Sequence, residues 1–308
     1  MPRVEPSAVP RSTAGAGGVI GVSAAVSVLK DSSTTRAYVG SNASIERADA
    51  LLVNAETDRR ASATTIGAAA GGLAIGASVA SATFGGSTSA YFQPNVDVGK
   101  TAGKLVNDVT ISASDGSVAS ASATAGAAGI VSGSGAVATA EVTSGVSAVM
   151  GSGAEVVAQD DVSVTAEATP ETRAEAKGVS IGAGSVGASL ATASTTSNVE
   201  ARIDGDASIS GDTLDVVAQR LVGANPTTAA QAFGASGGVL FGINATLAKA
   251  GFHVVAMDLP PFGFSQRPEA ALYGKINIQD GTKGGRAGAS APRWIKVDDH
   301  IRGALRFA

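Results

Sequence analysis

Along much of the chain, apolar and polar residues alternate with a period of two. In Ala138–Met150 (ATAEVTSGVSAVM) and Asp160–Ala168 (DDVSVTAEA), small or branched apolar side chains alternate with polar ones. Such alternation turns one face inward and the other toward water, which predicts β-strands. Thr, Val, Ile and Ser are poor or neutral helix formers, and each Gly in a helix costs about 1 kcal/mol. Gly40-Ser41-Asn42, Asp204-Gly205-Asp206 and Gly211-Asp212 punctuate the strands and supply positive φ. A helical bundle is the structural rival for the Ala-rich stretches, but the pattern predicts an all-β fold.

The pattern also repeats. Gly/Ala-rich starts recur at Gly15 (GAGGVIGVSAAVSV), Gly67 (GAAAGGLAIGASVA), Gly126 (GAAGIVSGSGAVAT), Gly182 (GAGSVGASLATAS) and Gly234 (GASGGVLFGINA), spaced 52, 59, 56 and 52 residues apart. A more polar half-unit follows at a similar offset: AYVGSNASIERADALLVNAET, AVMGSGAEVVAQDDVSVTAEA and ARIDGDASISGDTLDVVAQR. Units of this size that cannot bury a face alone must stack. Residues 15–250 are therefore expected to form a repetitive right-handed β-solenoid, or a closely related stacked-sheet rod, of 52–59-residue coils. Small inward residues suit a narrow lumen with coils about 4.8 Å apart. Residues 1–14 are expected to be a disordered N-terminal segment, and residues 251–308 a separate unit.

The repeats of Gly15–Ala250, in which Gly/Ala-rich segments alternate with "G-x-x-A-x-(I/V)…V-x-A" segments, resemble those of very large bacterial filamentous adhesins of the leukotoxin-like and hemagglutinin-like kind. The resemblance is one of pattern. It implies a structural and binding fragment of a secreted adhesin, extracellular or at the bacterial cell surface, that contacts a ligand on host or neighbouring cells. Residues 249–268 (KAGFHVVAMDLPPFGFSQRP) resemble a strand-and-loop segment of α/β-hydrolases. That resemblance implies a buried parallel strand over Phe252–Asp258, with Asp258 and Gly263 shaping the loop behind it. The family's His-Gly turn belongs upstream and its nucleophile elbow downstream, and neither stands there. The C-terminal part is thus expected to be a small α/β-hydrolase-like fragment with a basic, Gly-rich tail, either poorly ordered or docked on the open end of the solenoid. A non-functional chimeric reading frame joined near residue 250 is a further reading.

Composition sharpens the contrast. The 308 residues include 40 Gly and about 61 Ala, with 4% aromatics and 16% charged residues. Such a core is thin and held largely by backbone hydrogen bonds. Residues 251–308 carry 8 Lys/Arg and 5 Asp/Glu, both His and the only Trp, and residues 1–250 carry the remaining charges at net −7. The absence of Cys excludes disulfides, thiolate metal sites and cysteine nucleophiles. A net charge of −4 gives no electrostatic case for nucleic acid. The uncharged stretches Ala61–Val96 and Ser117–Ala140 lack the Leu/Ile/Phe runs of a spanning helix, and Met1–Thr13 lacks the apolar core of a signal peptide.

Candidate chemistry is sparse. Two G-x-S-x-G matches occur, Gly178–Gly182 around Ser180 and Gly234–Gly238 around Ser236. The motif works by presenting Ser on a strained strand-to-helix turn, but this Gly/Ser content produces about 0.6 matches by chance. The enzymatic alternative is a serine carboxylic-ester hydrolase using Ser236, with His300 as base and Asp280 or Asp298 as the acid. Gly182-Ala-Gly184-Ser-Val-Gly187, with Asp204 beyond it, fits a dinucleotide fingerprint only if a strand precedes and a helix follows. Repeat packing accounts for it equally well, so no cofactor is expected. Asp204, Asp206 and Asp212 read as solvated turn acids, and no metal is expected. His253 reads as a packed strand residue. Exposed strand edges at the solenoid ends make self-association an expectation.

Overall fold

A computed structural model of the chain describes residues 7–101, 106–221, 228–249 and 252–258. Among them every regular element is a β-strand, so the helical rival is set aside. The first coil contains β1 (Ser7–Ala8), β2 (Arg11–Asp31), β3 (Thr34–Val39), β4 (Ser44–Ile45) and β5 (Ala48–Thr57). The second contains β6 (Arg60–Phe84), β7 (Ser87–Phe92), β8 (Asp97–Val98) and β9 (Val106–Asp115). The third holds β10 (Val118–Met150), β11 (Glu155–Val157) and β12 (Asp161–Ala168), and the fourth β13 (Glu171–Ile203), β14 (Ser208–Ser210) and β15 (Thr213–Arg220). β16 (Thr228–Lys249) and β17 (Phe252–Asp258) follow.

Strands of successive coils pair in parallel into three sheets. The long strands form one, β4, β8, β11 and β14 the second, and β5, β9, β12 and β15 the third. This connectivity is compatible with a β-solenoid. Arg11 lies opposite Thr64, Arg60 opposite Val118, Val118 opposite Glu171, and Thr172 opposite Thr228. These pairs give steps of 53, 58, 53 and 56 residues. The extra length of the second coil lies after β8: Ile45 pairs with Val98, but Ala48 pairs with Val106.

The register confirms one half of the repeat alignment and corrects the other. Ala37, Ala90, Ala148 and Ala201 share a row, and so do Val53, Ile111, Val164 and Val216, as the polar half-units predict. The Gly-rich starts do not share a row. Gly67 lies opposite Ala14 and Ala125, whereas Gly182 lies opposite Gly238. Runs of Gly and Ala carry almost no register information, because any one-for-one alignment of them looks equally good. The N-terminal boundary also moves. Pairing begins at Ser7, and Arg11–Ala14 continue the ladder onto Thr64–Gly67, inside the segment expected to be disordered.

The long strands double back on themselves. Ser27 Oγ donates to the Pro10 carbonyl at 3.3 Å, and a Cβ on Gly67 would lie 2.2 Å from the Ala77 carbonyl oxygen. The ladder skips a residue at each bend, between Gly71 and Leu73 in β6 and between Gly129 and Val131 in β10. Each coil thus opens with a first arm, a bend and a second arm folded back over it. Between the arms lies a core of Ala61, Ala63, Ala80 and Ala82 and their counterparts in the other coils. With only methyl groups between them, the arms approach more closely than the roughly 10 Å of ordinary stacked sheets.

Further along, the second arm faces the third sheet across a thicker core of Phe92, Ile111, Met150, Val98, Val109 and Val164. At the far turn, Asn42, Asn95, Gly153 and Asp206 all adopt φ between 57° and 65°. Asn and Asp tolerate this left-handed region because their side chains bond locally. The turns expected at Gly40–Asn42 and Asp204–Asp206 are present, with the positive φ on the Asn and Asp.

The expected strand Phe252–Asp258 is also present. β17 pairs in parallel with β16, with Phe252 opposite Ala230. This last turn restarts the first arm after an arch alone, so among the described residues β14, β15 and the distal half of β13 have no coil above them. Ala201, Ile203 and Ile209 there, like Ala37 and Ile45 at the other end, are only partly buried.

Candidate functional site

The two G-x-S-x-G segments occupy the same place in adjacent coils. Gly178 lies opposite Gly234, Ser180 opposite Ser236 and Gly182 opposite Gly238. Both serines sit on the first arm with side chains in the Ala-rich core, each 0% exposed. Ser180 Oγ lies 3.0 Å from Ser132 Oγ, and Ser236 Oγ has no protein partner. None of the flanking glycines has a positive φ, and strand follows where a nucleophile elbow needs a helix. The glycines have a packing reason instead. A Cβ on Gly178 would meet Ser189 Oγ at 2.7 Å, and one on Gly238 would strike the Phe241 carbonyl. The dinucleotide-like Gly182–Gly187 forms the bend of β13 and is followed by strand. Asp258 is the register partner of Ser236, and His253 that of Gln231. His300, Asp280, Asp298, Gly263 and Trp294 lie outside the described residues.

A different polar site forms where the third sheet bends into the next first arm. Glu56, Asp58, Arg60, Ser114, Asp115, Glu167 and Thr169 line a groove of about 380 Å³ around Gly116. Asp115 is its buried base. One carboxylate oxygen accepts bonds from the Ser117 amide (3.1 Å) and hydroxyl, and the other has no partner. Behind it, the buried Arg59 guanidinium donates through Nε to Ser117 Oγ at 3.2 Å, stacks 5.0 Å over the Phe84 ring and lies 3.7 Å from Asp31. Asp31 accepts from the Ser33 amide and hydroxyl. Desolvation pushes the Asp31 carboxyl up, but the two Ser33 bonds and Arg59 outweigh it and hold the group below its ordinary value. One network thus ties three coils together beneath the groove.

This cluster was not singled out from the sequence. The signal was local: Asp31-Ser32-Ser33 and Asp115-Gly116-Ser117 are both Asp-x-Ser turns in which the carboxylate takes the amide two residues on. Their meeting with Arg59 depends on coil stacking, which local spacing does not encode. Chemically, the groove offers hydrogen-bond acceptors to a ligand rich in hydroxyl or amino groups. Among the described residues, no group of three or more His, Cys, Asp or Glu is arranged to hold a metal ion, and no helix is long and apolar enough to cross a membrane. Comparisons with protein-family models, curated proteins and solved structures give no match to this chain.

Proposed function

We propose that the chain is a structural and binding segment of a secreted bacterial surface adhesin, with no catalysis of its own. The observation that supports this reading most is the in-register stacking of whole coils. It devotes almost every residue to a ladder row and spreads broad lateral faces along the stack. Such a scaffold holds surface positions rigidly relative to one another, which favours recognition over chemistry. The partner is a ligand on host or neighbouring cells, and among the described residues the groove around Gly116 is a polar concavity suited to it. Labelled full-length chain is expected to bind intact cells saturably, and Glu167→Lys, which reverses charge at the groove rim, to weaken that binding at least tenfold. Absence of saturable binding to epithelial and bacterial cells alike would overturn the adhesin reading, and unchanged binding by the variant would remove the groove from it.

A further inference from the structure

We infer that the outer face of the second arm is a self-association surface, on which two copies of this chain pack face to face. This surface is distinct from the strand edges at the ends of the stack. Val26, Val79, Val137, Leu190 and Leu247 share one row across all five arches. Their side chains point outward, and Leu247 keeps 53% of its surface in contact with water. A second, mostly apolar row runs parallel to it through Val22, Ile75, Gly133, Val186 and Ile243, with its four large side chains exposed and a gap at Gly133. Between the two lies a row of the smallest side chains, Ala24, Ala77, Gly135, Ala188 and Ala245. The face is therefore two ridges flanking a furrow, all running along the stacking direction.

That relief is self-complementary. Neighbouring same-face rows lie about 6.8 Å apart along a strand. A two-fold axis lying in the interface plane and parallel to the rows keeps the rows of both copies collinear, and placing it half a row from a ridge seats a ridge of each in the furrow of the other. Together with the adjoining row of Ile20, Leu73, Val131, Gly184 and Phe241, the face spans about 20 Å along the strands and five strands across. With strands about 4.8 Å apart, that is a footprint of roughly 480 Å² per copy. A pair would bury about 960 Å², close to the roughly 1,000 Å² that a specific interface needs. A contiguous apolar patch of this size is itself unusual on a monomer. Its surroundings match an interface rim: beyond the exposed Val28 of the first arch, Ser81, Thr139, Thr192 and Lys249 form the next row out, followed by Lys30 and Glu141. A rim with charges of both signs and a flat ridged face suits a second copy better than a lipid surface.

Sedimentation equilibrium of the full chain tests this. The wild type is expected at twice the 29.9 kDa chain mass, and Val79→Lys/Leu190→Lys at the single mass with an unchanged β-type far-UV CD spectrum. Ala188→Leu fills the furrow without adding charge, and is expected to raise the dimer dissociation constant tenfold or more. A wild type that stays monomeric at about 100 μM would overturn the inference. So would a Lys variant, or the Ala188→Leu variant, that dimerises as the wild type does. Concentration-dependent growth beyond the dimer that survives the double variant would transfer association to the strand edges. A monomer that floats with phosphatidylcholine vesicles would assign the face to lipid instead.

Discussion

Replacing Gly76 and Gly126 by Ala adds one methyl group in each case, and the structure predicts opposite outcomes. Gly76 points into the space between the arms, where a Cβ would lie 2.2 Å from the Gly126 carbonyl oxygen and 3.1 Å from its carbon. Real Cβ atoms do not approach backbone oxygen closer than about 3 Å, so the arms must part by roughly 1 Å. A gap of that size forfeits a quarter to a half of the dispersion energy of each contact it opens. The blocking atom is backbone in a continuous ladder and has no rotamer to escape into, so the cost falls at about 2 kcal/mol, within the 1–3 usual for overpacking. Gly126 faces outward, with no heavy atom within 4 Å of the added Cβ and no positive φ. Ala there narrows the unfolded ensemble and is expected to stabilise by about 0.4–1 kcal/mol. Urea denaturation followed by far-UV CD reads both: Gly76→Ala lowers the midpoint by roughly 0.5–1 M and Gly126→Ala raises it slightly. If both variants shift the midpoint in the same direction and by similar amounts, the close approach of the arms is wrong.

Three other perturbations follow from the cores and the Arg59 network. Phe84→Ala removes a side chain 2% exposed that also lies under the Arg59 guanidinium. It is expected to cost about 3–5 kcal/mol, and a loss below 1 kcal/mol in thermal denaturation would contradict that packing. Asp31 has a depressed folded pKa, so its contribution is present above the ordinary carboxylate value and lost as pH falls through the folded one. Asp31→Asn should therefore lower stability at pH 7 by less than about 1 kcal/mol, given partial exposure, and make no difference near pH 2. A variant effect that grows toward low pH would reverse the assignment. Ser236→Ala removes a buried hydroxyl without a partner and is expected to leave stability unchanged or raise it by up to about 1 kcal/mol. Hydrolysis of a p-nitrophenyl ester should be the same in both proteins, and turnover that vanishes in the variant would restore Ser236 as a nucleophile.

The class of fold was legible because period-two alternation survives in nearly every strand, and Ala138–Met150 alternates buried and partly exposed throughout. The polar half-units aligned correctly because Val, Asn and Asp mark definite places: the inward rows of the thick core and the left-handed turn. The Gly-rich halves did not, since Ala, Gly and Ser fit an inward or outward position almost equally well. The same degeneracy produced two G-x-S-x-G matches, which reflect one ladder position visited in consecutive coils. The bends in β6 and β10 were hidden for a related reason. Gly-Gly and Gly-Ile read as ordinary members of a small-residue run, and only contacts ten residues apart reveal the fold-back. The Asp115–Ser117–Arg59–Asp31 network was out of reach because its members come from three coils.

Coil length has a further consequence. Each turn uses 53 residues or more to advance one strand spacing, about 4.8 Å. The chain therefore gains only about 0.09 Å of height per residue, against 1.5 Å in an α-helix. A projection of even 500 Å would demand on the order of 100 turns and more than 5,000 residues at this rate. Such a cross-section is a poor device for reach and a good one for area, since every added turn contributes a full perimeter of surface. Selection acting on this architecture would favour breadth of surface, with reach left to sheer repetition.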